Sequence, residues 1–162
     1  MKRAIIFSNA LMYSLAFICG ALAQEIKIGT LLAHTGPLKE WGPHIQNGIV
    51  LAAKQSAAAG FKLALIHEDS KTSTVLATKA AKKLVEVDKL IAIIGALASS
   101  STQSVAEYVT CPNNVILISP ASTSPLLTIL PADHGKDFLF RTCPSESQSK
   151  LEILTDTVPS ST

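Results

Sequence analysis

Few of the features that mark an enzyme, a metalloprotein or a nucleic-acid binder occur in this sequence. No G-x-S-x-G elbow presents a nucleophilic serine. Neither G-x-G-x-x-G nor G-x-x-x-x-G-K is found, so the usual phosphate-cradling loops have no support. His34, His44, His67 and His134 are scattered without metal-ligand spacing. No metal or other cofactor is therefore expected, and the chain reads as a binder, not an enzyme. Glu68-Asp69 follows a strand pattern and precedes a helical one, and capping that turn is its expected role. Cysteine is sparse: Cys19, Cys111 and Cys143. Charge of either sign is not in excess. Fourteen basic residues face 12 acidic ones, and without Lys2 and Arg3 the count is 12 against 12. A neutral chain has no electrostatic footprint for nucleic acid or an anionic membrane.

What is present begins with an export signal. Lys2 and Arg3 precede a mostly apolar stretch over residues 4–20, and Ala21-Leu22-Ala23 fits a small-x-small cleavage site before Gln24. Ser8, Asn9 and Ser14 interrupt the stretch and no basic flank follows it, which favours cleavage over a membrane anchor. Ile18 before Cys19 does not suit a lipoprotein signal, so a periplasmic location without an anchor is expected. The remaining 139 residues are one domain's worth of chain. Cys111 and Cys143 flank successive predicted strands and fall at opposite ends of a parallel pair. A five-residue strand spans roughly 17 Å, beyond the ~7 Å Cα separation a disulfide allows. No internal bridge is expected.

Strand and helix patterns alternate along the chain. Strands are predicted over residues 26–32, 62–67, 90–94, 115–118 and 138–141. Helices are predicted over residues 43–59, 73–87 and 101–110. In the first helix Ile45, Ile49 and Ala52/Ala53 share a face; in the second, Leu76, Ala80, Leu84 and Val87 are expected to point inward. Continuous apolar strands between amphipathic helices imply an α/β fold with a parallel sheet covered on both faces. Right-handed crossovers then give a doubly wound sheet of strand order 2-1-3-4-5. Residues 24–150 form this lobe. Residues 146–154 could begin another helix, and residues 151–162 read as a Ser/Thr-rich, frayed tail. The pattern suggests a chain that stops before a larger fold is finished.

In such sheets ligands lie beyond the carboxyl ends of the strands where the order reverses. That point falls between the first and third strands, at residues 34–41 and 98–102. The second of these segments is Ala98-Ser99-Ser100-Ser101-Thr102, which opens a helix directly after a buried strand. Helix N-termini attract anions because their first N–H groups lack intrahelical partners. The same residues also serve as ordinary N-caps. A carboxylate there would gain charge-assisted hydrogen bonds of ~1.5–3 kcal/mol each and at most ~2 kcal/mol from the dipole. Thr123, in the loop after the next strand, is placed to reach the same point, and Trp41 to wall it. Residues 119–137 make a long loop with Pro120, Pro125 and Pro131, and connections of that length are commonly functional or disordered.

Four segments carry a family resemblance: Ile28-Gly-Thr-Leu-Leu-Ala-His-Thr-Gly-Pro37 with Trp41-Gly42, Ile94-Gly-Ala-Leu-Ala-Ser-Ser-Ser-Thr-Gln103, Ile118-Ser-Pro-Ala-Ser-Thr-Ser-Pro-Leu-Leu-Thr128, and Phe140-Arg-Thr-Cys-Pro144. Together they make residues 26–149 resemble the periplasmic branched-chain amino-acid-binding proteins, which have a type I two-lobed fold. The resemblance implies a substrate-binding component of an ABC importer, with an amino acid as ligand and an ABC permease as partner. It implies that Ser99, which opens the third helix, grips the ligand carboxylate, beside the N–H groups of Ser100, Ser101 and Thr102 that the helix start is expected to offer. It further implies that Ala121 and Thr123 hold the amino group and carboxylate, and that Trp41 lines the pocket. Ala98 stands where close members often carry a disulfide cysteine. Only the first lobe of the family's two is matched, so weak or absent ligand binding is expected of the lone lobe. The alternatives are a degenerate product that keeps only the fold, and a small-ligand sensor or interaction module.

Overall fold

The computed structural model describes residues 25–148. The expected leader over residues 1–23, its cleavage point and the tail over residues 151–162 lie outside the described residues. Five parallel strands form one sheet: β1 (Ile26–Leu32), β2 (Leu63–Asp69), β3 (Ala92–Gly95), β4 (Ile116–Ser119) and β5 (Leu139–Arg141). Their order is β2-β1-β3-β4-β5, the doubly wound arrangement read from the sequence. In register, Leu31 lies opposite Glu68 of β2 and Gly95 of β3, so the ends of the central strands sit side by side.

Helix α1 (Gly42–Ala58) connects β1 to β2, with Pro43 in its first turn. Helix α2 (Thr74–Lys82) follows β2, capped by the Ser73 side chain, and runs on through a wider-wound turn to Val87. Helix α3 (Ser99–Val105) follows β3 and continues in the same way to Thr110. Alternation along β1 sends successive side chains to opposite faces. Leu31 enters a core with Leu84, Ile93, Val105, Val109 and Leu117, under α2 and α3. Leu32 and Ala33 join Leu97 and α1's Ile45 and Ile49 on the other face.

Three expectations are corrected, two of them in part. On α2 and the turn that extends it, Leu84 is buried as expected and Ala80 packs half-buried against the core, but Ala77, Ala81 and Val85 complete the stripe in place of Leu76 and Val87, which are exposed. Small alanines let the helix sit close to the sheet, a preference that size-weighted hydrophobicity misses. Strand β3 starts two residues late because Lys89 takes a positive φ and Leu90 turns into the core, its N–H bonded to Leu84 O at 3.1 Å. Glu68 and Asp69 belong to β2; Asp69 accepts the Lys71 N–H in the turn that follows, as expected, while Glu68 pairs with Lys83 and Ser73 caps α2. The long loop over residues 119–137 is ordered by two 3₁₀ turns, Pro125–Ile129 and Pro131–Asp133, that bury Leu127 and Leu130.

Cys111 and Cys143 are both free thiols. Cys111 is buried before β4, its S–H pointing to Asp133 Oδ1 at 3.6 Å, while Cys143 lies past β5 with its S–H toward Ser122 O. Burial, with the Asp133 carboxylate alongside, pushes the Cys111 thiol up to about 11.

Candidate functional site

The site is built where β1, β3 and β4 end. After β1 the chain turns through residues 34–41, and Asp69 at the end of β2 holds that turn. Its Oδ1 accepts from the N–H groups of His34 (3.0 Å), Thr35 (3.3 Å) and Lys71 (2.9 Å), and its Oδ2 from the Thr35 hydroxyl (2.6 Å). Partial burial pushes the Asp69 pKa up, but these hydrogen bonds outweigh it and hold the carboxyl below its ordinary value. Leu38 N–H donates to Thr72 Oγ1 at 3.1 Å. Gly42 then starts α1 so close to β1 that a Cβ would stand 2.0 Å from Ala33 O, which only glycine tolerates. The preceding residue, Trp41, is thereby held at the mouth of the switch point with 64% of its surface exposed.

Helix α3 begins without a side-chain cap. Its N-cap is Ala98, in extended conformation (φ −76°, ψ 133°), and the serines occupy the first turn instead. The first backbone N–H groups of the helix consequently have neither intrahelical nor side-chain partners. The N-cap role weighed for the serine run is not the one they play. Ser99 and Ser100 remain accessible, and Ser99 Oγ accepts from the N–H of Ser124 at 3.3 Å.

Ser101 and Thr102 are placed differently from the sequence expectation. Both side chains are buried, so neither hydroxyl faces the mouth. Thr102 donates to Ala96 O (3.1 Å) and meets Ser122 Oγ (2.8 Å). Ser119 also donates to Ala96 O (2.7 Å), and Ser122 N–H donates to Ser119 Oγ (3.1 Å). Thr102 is thus a brace that joins the loop after β3 to the loop after β4. Ser101 lies in the first turn of α3, and its buried hydroxyl has no hydrogen-bond partner among the described residues.

Leu38, Trp41, Leu97 and Ala121 line a shallow apolar pocket of about 270 Å³ at the same mouth. Trp41 and Ala121, both expected there, come together with Leu38 and Leu97, which the sequence reading did not select. Thr123 donates its hydroxyl to Glu146 Oε1 at 2.9 Å, and its carbonyl accepts the Glu146 N–H at 3.0 Å. Arg141 donates to Ser124 O at 2.9 Å and to Thr128 Oγ1, which fixes the turn beside Thr123. Asp69, Ser119, Ser122, Arg141 and Glu146 were missed as site residues. The serines and the arginine lie inside the quoted motifs, but their roles depend on loops brought together only by the fold. Among the described residues no three His, Cys, Asp or Glu side chains group as a metal site. No helix among them is long and apolar enough to cross a membrane.

Residues 25–154 match the model of the periplasmic binding protein family. The leucine-specific-binding protein of Salmonella typhimurium is 32% identical over 151 residues, 91% of this chain but 39% of that protein. The Leu/Ile/Val-binding protein of Escherichia coli K12 is also 32% identical, over 80% of this chain and 35% of its own length. Among solved structures, the isoleucine complex of a branched-chain amino acid transporter substrate-binding protein from Streptococcus pneumoniae superposes with a TM-score of 0.67 at 28% identity. It covers 76% of this chain and 35% of that one. A leucine-binding protein from Thermotoga maritima gives 0.69 at 27% identity, over 79% and 35%. The chain therefore spans about two fifths or less of the relatives it matches. With a doubly wound lobe, a switch-point site and a family match over most of its length, the chain belongs to the periplasmic binding protein family.

Proposed function

We propose that the protein binds an apolar α-amino acid for a periplasmic ABC-type uptake system, and that this lobe takes the ligand's carboxylate. The carboxylate docks on the Ser99 hydroxyl and on the N–H groups of Ser99, Ser100 and Ser101. Ala121 and Thr123 face the ligand's amino group, and its side chain lies in the pocket of Leu38, Trp41, Leu97 and Ala121. Recognition involves no chemistry. The observation that carries this reading is the juxtaposition of an uncapped helix start with an apolar pocket at the sheet's switch point. An anion-accepting end beside a small apolar recess matches a ligand that is charged at one end and aliphatic at the other. The names of the relatives, leucine-specific and Leu/Ile/Val-binding, point to the same ligand class. Export by the predicted leader and delivery to a membrane permease belong to the same proposal.

Trp41 is the chain's sole tryptophan, so its emission reports on this pocket alone. Titration with leucine, isoleucine and valine to tens of millimolar should change that emission, while charged amino acids leave it unaltered. Ser99→Ala should weaken the response about tenfold, the scale of a lost hydrogen bond to a charged group. An emission indifferent to every amino acid would defeat the proposal.

A further inference from the structure

The sheet ends on β5, which pairs with β4 on one side and with no strand among the described residues on the other. Phe138 O accepts the Leu117 N–H at 2.8 Å, and Thr142 N–H donates to Ser119 O at 3.1 Å. Alternation along the strand then turns the backbone N–H and C=O groups of Leu139 and Arg141 away from β4, toward the open edge. Such edges are commonly blunted by a proline, a lysine, a bulge or a covering segment. Leu139–Arg141 carries no proline or lysine, and Phe140 is 47% exposed beside it. The residues across this edge are Asp137-Phe138-Leu139-Phe140-Arg141. Read backwards, the run is its own complement: aromatic residues flank Leu139 symmetrically, and an acid and a base stand at equal distance beyond them.

We infer that β5 pairs with β5 of a second copy of this chain, antiparallel and centred on Leu139. A two-fold contact brings one patch against itself, so the patch must be self-complementary, and this one is. Leu139 faces the partner's Leu139, and their outward N–H and C=O groups exchange two hydrogen bonds. Phe138 meets the partner's Phe140 twice over, and Asp137 meets the partner's Arg141 twice over, both favourable classes of cross-strand pair. Asp137 has a φ of 57°, so the backbone ladder stops short of it and its exposed carboxylate acts through charge. Arg141 spends two donors on Ser124 O and Thr128 Oγ1, and a guanidinium has five. The other register open to the same outward groups is centred on Phe140. It sets Leu139 against the partner's Arg141 and leaves Asp137 without a base. Because the paired strands run oppositely, the two switch-point sites face opposite ends of the joined sheet. The pairing therefore neither encloses a ligand nor requires one.

So short an edge buries little surface and belongs with weak, transient interfaces. Sedimentation equilibrium of the purified protein should show monomer at about 10 μM and substantial dimer at about 1 mM, with or without leucine. In a mixture of isotope-labelled and unlabelled chains at the higher concentration, NMR should show Phe138 Hα of one copy close to Phe140 Hα of the other. Amide exchange at Leu139 and Arg141 should slow as protein concentration rises, while exchange in β1 stays constant. Asp137→Lys, a change at an exposed position, should weaken the dimer about tenfold, because two exposed ion pairs become two like-charge contacts. A monomer at the higher concentration overturns the proposal. So does a dimer that Asp137→Lys leaves equally tight, or one whose contacts lie on another face. Leu139 and Arg141 amides already protected in the dilute monomer would mean that the same chain covers its own edge, and this too overturns the pairing.

Discussion

Asp69 does not line the apolar pocket, yet it holds the loop that carries Trp41. Four hydrogen bonds converge on its carboxylate from the loop after β1 and the turn after β2, and through them the position of Trp41 is set. The sequence does mark Glu68-Asp69 as a noteworthy pair. What it cannot mark is the register that puts Asp69 opposite Leu32, beside the loop it holds. Because those bonds favour the charged form, the folded pKa lies below the unfolded value near 3.8. The stabilisation is complete above the unfolded pKa and is lost as the pH falls through the folded one. Asp69→Ala should cost about 1–2 kcal/mol at pH 7, the range for losing a capping carboxylate. In urea melts, the gap between wild type and variant should narrow below pH 4. A gap that stays constant down to pH 2 would show that the charge contributes nothing.

At the scale of elements, α3 is the one whose design conflicts with its own stability. Periodicity and the apolar run of β3 reveal the strand–helix unit, and the residues Ile94-Gly95 before the serines reveal its place at the switch. They do not reveal that Ala98 is the N-cap. That depends on the helix starting at Ser99, two residues before the predicted start, while Ser119, Ser122 and Thr102 gather on the carbonyl of Ala96. The same blindness explains the small residues of the α2 face: hydrophobic spacing finds Leu84, but packing against the sheet buries Ala77 and Ala81 where the larger Leu76 stays outside. A cap at Ala98 would satisfy the free N–H groups internally. Ala98→Asp should therefore stabilise the fold by about 0.5–1 kcal/mol, raising the melting temperature by a few degrees. It should at the same time weaken leucine binding, since its carboxylate competes for the same donors. A variant that melts higher and binds equally well would place the ligand elsewhere.

At the scale of the whole molecule, the half-open geometry of the site limits what this lobe can do by itself. The pocket has walls from β1, β3 and β4 loops only, and Trp41 stands largely in water. Association costs an estimated ~4–15 kcal/mol in lost freedom before any net affinity appears. A millimolar Kd then needs about −4.1 kcal/mol net, and a micromolar one about −8.2. Against this the lobe offers a few hydrogen bonds at ~1.5–3 kcal/mol each to the carboxylate, and a shallow apolar contact. Those sums reach the millimolar regime and stop there, because no second surface among the described residues excludes water from the ligand. The relatives, whose length is two and a half times the matched part or more, have chain to spare for such a surface. This lobe alone should therefore bind leucine with a Kd of about 1 mM or weaker, measured by the same Trp41 titration at low protein concentration. A micromolar Kd would mean that a second wall is supplied from somewhere. If that wall were another copy of the chain, the affinity would rise with protein concentration, and sedimentation would show leucine driving dimer formation. A micromolar Kd independent of concentration would instead mean that the single lobe encloses its ligand, and that the open pocket is not its bound form.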